Sequence, residues 1–262
     1  MDRFDHLING IYARRFTAAA PSHALLVCHG LGGHGGIYDS FCERYATARR
    51  GDVWSIDLPG FGRSPSAGGR GSFTAEQWVE ATCAVASHIR RTTGLPVVTK
   101  GSSLGVFAAS GALIASDDVS AAVCMGYAFA GVGRLMDGGA SPWATDAGRA
   151  ILRQLGRNAV LKLDRFIDFD VDYGYSGATA EKRLDPLNTW EIDLASWASI
   201  YTYEAPAALE TNTKPVLFAV GEHDPLAPPS TVKAIADLIP GPVEFHVHPG
   251  GSHQLKIGRA HV

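Results

Sequence analysis

Gly101-Ser102-Ser103-Leu104-Gly105 stands between an apolar run, Leu95 to Thr99, and a run of small residues, Val106 to Ala115. The first run predicts a strand and the second a helix, so the five residues between them form a turn. Strand, sharp turn, helix is the setting of a nucleophile elbow, which lifts a serine hydroxyl clear of the backbone at the top of a sheet. The turn is so tight that only glycine fits two positions before and two positions after the central residue. Ser103 is therefore the central residue and Ser102 is not, because only Ser103 has glycine at both offsets. The helix behind it points unpaired N–H groups toward any negative charge that develops there. A bare G-x-S-x-G occurs by chance in many chains, so the surrounding sequence has to supply the context.

On both sides of the elbow, apolar runs alternate with helical patterns. Strands are expected at His23 to Cys28, Asp52 to Ile56, Pro96 to Lys100, Ser120 to Met125, Lys214 to Val220 and Val243 to Val247. Helices are expected at Tyr38 to Arg49, Thr74 to Thr93 and Ser230 to Leu238, with Thr74 and Gln77 forming a capping box. This rhythm predicts an α/β fold, a mostly parallel sheet flanked by helices on both faces. Function in such sheets sits beyond the carboxyl ends of the strands. Residues 129–210 break the rhythm, showing no clear strand and many aromatics, Trp143, Phe166, Phe169, Tyr173 and Trp190 among them. They also carry the acidic stretch Asp164 to Asp172, DRFIDFDVD. We expect residues 1–128 and 211–262 to form the core and residues 129–210 a helical cap insertion. Most of its aromatics should pack the cap itself, and a few should face the substrate pocket.

With 262 residues, 46% hydrophobic and 19% charged, the chain is rich enough in apolar residues to bury a sizeable core. A net charge of −3 gives no reason to expect nucleic acid or an anionic membrane as partner. The start of the chain lacks a signal-peptide pattern, and no run approaches the ~18 apolar residues of a membrane span. A cytoplasmic, soluble protein is the expectation. Cys28, Cys42, Cys83 and Cys124 form no CxxC pair and no metal-ligand spacing, so free thiols are expected.

A serine hydroxyl needs a base within hydrogen-bond reach, and the base needs an orienting carboxylate. Downstream of Ser103, Gly221-Glu222-His223-Asp224-Pro225 follows a strand and offers Asp224, with Glu222 as the alternative. The last strand runs into His248-Pro249-Gly250-Gly251-Ser252-His253, where glycines let the His253 ring swing over the elbow. His248 lies too close to the strand, and His246 alternates with Phe245 and Val247 as a sheet-face residue. For the oxyanion, the backbone N–H of Leu104 is one expected donor. The N–H of Leu31, in the turn His29-Gly30-Leu31-Gly32-Gly33, is the other. His29 sits inside that turn and is read as a structural hydrogen-bonding residue. The glycine-rich loop matches no nucleotide-binding pattern, so no nucleotide, metal or other cofactor is expected.

Together these residues resemble the α/β-hydrolase superfamily, and within it the monoacylglycerol lipase and lysophospholipase branch of serine hydrolases. His29 to Tyr38, HGLGGHGGIY, is similar to the branch's oxyanion loop; Asp57 to Ser64, DLPGFGRS, and Gly221 to Pro225, GEHDP, are similar to two of its turns. The resemblance implies an α/β-hydrolase fold with Ser103 as nucleophile, His253 as base, Asp224 as orienting acid, and Leu31 and Leu104 as oxyanion donors. The branch usually has histidine before the serine and Met-Gly-Gly after it. Here Ser102 precedes it and Leu104-Gly105-Val106 follows, which changes the shape of the pocket. Ile257 to Val262, IGRAHV, resembles a translated frame of a sequencing adapter, and a helix is expected to follow His253 in the intact gene.

The expected activity is ester hydrolysis through an acyl-enzyme, on a small-molecule ester with an apolar acyl or aromatic group. Lactonase, thioesterase, amidase and C–C hydrolase chemistry use the same residues, and a non-catalytic receptor on this fold is the alternative from another class. Ser103 at the elbow argues against a carboxylate nucleophile. Nothing in the sequence sets the oligomeric state.

Overall fold

The computed structural model describes residues 2–49, 51–64, 66–126, 129, 145–152, 154, 159–165 and 167–255. Trp143, Phe166 and the segment Ile257 to Val262 lie outside the described residues.

The fold opens with a hairpin that the sequence reading did not assign. Strands β1 (Arg3–Ile8) and β2 (Ile11–Phe16) pair antiparallel around Asn9-Gly10. Both turn residues have positive φ, 50° and 83°. That is the mirror-image turn whose twist matches the strands on either side. β3 (His23–Cys28), β4 (Gly51–Ile56), β5 (Val97–Ser102) and β6 (Val119–Met125) follow, and β9 (Val216–Gly221) and β10 (Val243–His248) complete the main sheet. Its order is β1-β2-β4-β3-β5-β6-β9-β10, parallel from β4 onward, with β2 antiparallel to β4. The mostly parallel α/β sheet expected from the alternating runs is therefore present, and this is the α/β-hydrolase fold.

Helices cover both faces. α1 (Asp39–Arg49) packs Cys42 and Ala46 against Phe16, Leu25, Val27 and Val53. On the other face lie α2 (Ala75–Thr93), α3 (Gly105–Ala115) and α8 (Pro229–Ala236). The α2 start carries the expected capping box, Thr74 and Gln77 each satisfying the other's backbone N–H. β3 and β5 are buried almost throughout, which is why they read as continuous apolar runs rather than alternating ones.

Between β6 and β9 the described residues include α4 (Asp146–Leu152), α5 (Phe169–Tyr173), α6 (Ala178–Leu184) and α7 (Leu194–Thr202). The expectation that this segment lacks strands is corrected. β7 (Val160–Lys162) and β8 (Glu191–Asp193) form a small antiparallel sheet. Three residues are too few to show a periodicity in sequence. Backbone bonds join this stretch to the loops of the main sheet, from Thr189 N–H to Gly32 O and from Asp193 N–H to Gly71 O.

Candidate active site

Ser103 stands where β5 meets α3, with φ at +53°, a left-handed conformation that a non-glycine residue adopts only under constraint. Its N–H donates to Met125 O at 2.6 Å. A Cβ on Gly101 would lie 2.4 Å from Val106 Cα, and one on Gly105 would lie 2.4 Å from the carbonyl oxygens of both Cys28 and His29. The two flanking glycines are thus steric requirements of the turn, as the spacing predicted.

His253 Nε2 lies 2.8 Å from Ser103 Oγ, and Nδ1 lies 2.7 and 2.9 Å from the two carboxylate oxygens of Asp224. An ionised carboxylate only accepts, so Nδ1 carries the proton and Nε2 of the neutral ring offers its lone pair to the serine. Asp224 Oδ1 also accepts from the N–H groups of Leu226 (2.9 Å) and Ala227 (2.7 Å), which fixes the carboxylate in the turn after β9. Asp224 is 5% exposed and His253 3%. Burial works against a charged ring at His253. The bond to Asp224 and the charges of Asp172 and Asp224 outweigh it, and the pKa lies above the ordinary histidine value. Glu222, the alternative carboxylate, is exposed and accepts from Gly250 N–H instead. His246 and His248 are exposed on the edge strand.

The turn after β3 lies against the elbow, for a Cβ on Gly30 would meet Ser103 Cβ at 3.1 Å. Leu31 borders a cavity with Ser103, and Leu104 occupies the N-cap of α3, where N–H groups have no partner within the helix. His29 is structural here. Its Nδ1 lies 2.8 Å from Gly30 O and its Nε2 accepts from Leu58 N–H at 3.0 Å. Burial pulls its pKa down to about 4, so the ring stays neutral.

A family model described as serine aminopeptidase, S33, matches residues 19–257. The chain belongs to this hydrolase family. The monoacylglycerol lipase of Paleococcus ferrophilus superposes on it with a TM-score of 0.69 at 21% identity, over 97% of this chain and 91% of that one. A thermostable carboxyl esterase from Bacillus coagulans gives 0.76 at 18%, over 97% and 91%. A soluble variant of the Saccharomyces cerevisiae monoglyceride lipase gives 0.72 at 13%, over 96% and 87%. At these identities the likeness is one of fold. No curated protein matches the chain by sequence.

The hydrolase has a second buried carboxylate at the site, which sequence reasoning did not single out. Asp172, in α5, is 6% exposed, and its Oδ1 lies 3.9 Å from His253 Nε2. Burial, with the nearby Asp224 charge, pushes its pKa up to about 6 against the attraction of His253 and Lys182 and a bond from Gln254. Lys182 is itself buried, which lowers its pKa to about 8; its Nζ donates to Gly32 O and Asn188 Oδ1. Ser103, Asp172, Phe169 and Tyr173 all line the same cavity, of about 30 Å³. That is room for a water molecule or two. Phe169 and Tyr173 are thus the two aromatics of the stretch between β6 and β9 that border this cavity among the described residues. Among the described residues, no helix is long and apolar enough to cross a membrane, and no cluster of His, Cys, Asp and Glu is arranged to hold a metal.

Proposed function

We propose that this hydrolase is a serine-dependent carboxylic ester hydrolase working through an acyl-enzyme. The observation that carries the reading is the hydrogen-bonded line from Ser103 Oγ through His253 to Asp224, ending at a cavity. Ser103 Oγ attacks the ester carbonyl while His253 Nε2 takes its proton, and Asp224 holds the ring and steadies the imidazolium. The backbone N–H groups of Leu31 and Leu104 receive the oxyanion. His253 returns the proton to the leaving alcohol, and water then repeats the sequence to release the acid.

Residues 129–210 act in this reading as a cap over the site, and Ile167, Phe169 and Tyr173 give the substrate an apolar wall. A small-molecule ester with an apolar acyl or aromatic group suits that wall. Short acyl groups enter most readily, because the cavity is small while the inserted segment rests on Gly32. The free thiols of Cys28, Cys42, Cys83 and Cys124 fit a reducing compartment such as the cytoplasm. The family description, serine aminopeptidase, favours amide hydrolysis as a second reading, since the same residues cleave amides.

The test is a fluorophosphonate probe with p-nitrophenyl acetate turnover. Ser103 should take the label, and Ser103→Ala should lose both labelling and turnover while its circular dichroism is unchanged. A panel of p-nitrophenyl esters, lactones and amino-acid p-nitroanilides separates ester from amide hydrolysis. Labelling at Ser102, or retained turnover in Ser103→Ala, overturns the assignment.

A further inference from the structure

Asp172 has no part in the mechanism as described, yet it faces the reacting nitrogen of His253. No hydrogen bond from a described residue reaches its Oδ1, although the atom is buried and the side chain lines the cavity beside Ser103. Leaving a buried carboxylate oxygen unpaired is costly, so its place calls for a donor from the reaction itself. The position is held firmly. Asp172 O accepts from Gln254 N–H (3.2 Å) and from Ser252 Oγ (3.2 Å), so α5 is tied to the loop on both sides of His253. Behind the elbow, Tyr38 bonds the Ser102 side chain, Ser102 Oγ donates to Gln254 Oε1 (3.3 Å), and the Gln254 side chain bonds Asp172.

We infer that Asp172 positions the water that deacylates the enzyme, a role resting on the reading of Ser103 as nucleophile. An oxygen ~2.8 Å from both Asp172 Oδ1 and His253 Nε2 would see the two atoms at close to a right angle, near the spread of a water's own O–H bonds. One O–H donates to Asp172 and the other to Nε2, and a lone pair is left for the acyl carbonyl. The water oxygen then bonds to the carbonyl carbon as its proton passes to Nε2. Collapse breaks the bond to Ser103 Oγ, which takes the proton back, and the carboxylic acid departs. Asp172 takes no proton and stays ionised throughout. Its groove neighbours that carry or can carry charge are His253, Asp224, Lys182, Tyr38 and Tyr173.

The role separates two half-reactions. Formation of the acyl-enzyme from p-nitrophenyl acetate needs no water and releases a leaving group that needs no proton, so without Asp172 it loses only the charge that supports a protonated His253 and should slow much less than deacylation. The experiment is stopped-flow turnover of p-nitrophenyl acetate by the wild type and by Asp172→Asn, with intact-protein mass spectrometry. In the variant, kcat should fall about 10- to 100-fold and kcat/KM less than about fivefold. A burst approaching one equivalent of p-nitrophenol and an accumulated acetyl adduct on Ser103 should accompany this. Equal loss in both parameters without a burst, or no loss in either, overturns the role. If Asp172→Asn folds poorly, Asp172→Ser serves instead, with the rate of fluorophosphonate labelling reporting whether Ser103 and His253 remain aligned. Failure of the nucleophile reading shows differently, as a wild type that takes no label on Ser103.

Discussion

Two carboxylates meet the His253 ring from opposite sides, and their surroundings set them to different tasks. Asp224 receives Nδ1 and two backbone N–H groups, whereas no described residue donates to Asp172 Oδ1. Asp224→Asn should keep the packing but no longer fix the proton on Nδ1, and kcat for p-nitrophenyl acetate should fall by about 10⁴. Full activity in that variant would hand the role to Glu222. Asp172→Asn should raise stability at neutral pH. The folded-state pKa of Asp172 is raised, from 3.8 to about 6, so its ionised form is disfavoured by folding. Its contribution is favourable below the unfolded pKa and is lost as pH rises through about 6. The asparagine variant should therefore match the wild type near pH 4 and exceed it at pH 7.5 by on the order of 1–3 kcal/mol, net of the lost attraction to His253 and Lys182. Urea denaturation at the two pH values measures this, and a variant less stable at pH 7.5 contradicts the account. A buried group that weakens the fold is the expected mark of a residue kept for chemistry.

The loop that carries Leu31 is held by Asp57, just past β4. Its Oδ1 accepts from Gly35 N–H (2.7 Å) and Arg14 Nη1 (2.6 Å), and its Oδ2 accepts from Arg63 N–H (2.8 Å). Burial opposes the charge, but Arg14 and the Arg63 N–H outweigh it, and the pKa is lowered. That stabilisation is present above the unfolded pKa and is lost as pH falls. Asp57→Asn leaves Arg14, 2% exposed, without its main partner, and should cost about 3–5 kcal/mol. It should also lower kcat, because Gly35 and the turn after β3 lose an anchor; unchanged thermal stability would refute this. What sequence could show divides along the same line. The elbow was legible because its glycines are demanded by atoms within a few residues. The turn at Asn9-Gly10 carried an equally local signal that the sequence reading passed over. Asp172 was hidden, since in DRFIDFDVD nothing local separates it from Asp164, Asp168 or Asp170. Only the packing of α5 against the His253 loop buries it. The strands β7 and β8 were hidden by their shortness.

Among its contacts with the core, the stretch between β6 and β9 is bonded to the turn that supplies Leu31. Gly32 O accepts from Thr189 N–H (2.9 Å) and Lys182 Nζ (3.3 Å), while His34 Nε2 lies 2.7 Å from Asp185 Oδ2. Arg70 Nη1 adds a bond to Pro186 O (2.6 Å). The cavity of about 30 Å³ beside Ser103 is smaller than any acyl group, so a long chain needs more rearrangement of its walls than an acetyl group does. Along a p-nitrophenyl series from acetate to decanoate, kcat/KM should then fall by about tenfold or more, the cost of a modest opening equilibrium. Lys182→Met weakens the latch while keeping much of the apolar stem over Phe169, and it should raise decanoate turnover relative to acetate. The ratio of the two substrates is the quantity to measure, because a general loss of activity leaves it unchanged. A wild type that prefers decanoate, or a ratio that Lys182→Met does not move, would mean that substrate reaches Ser103 by a route that leaves the Gly32 contacts intact.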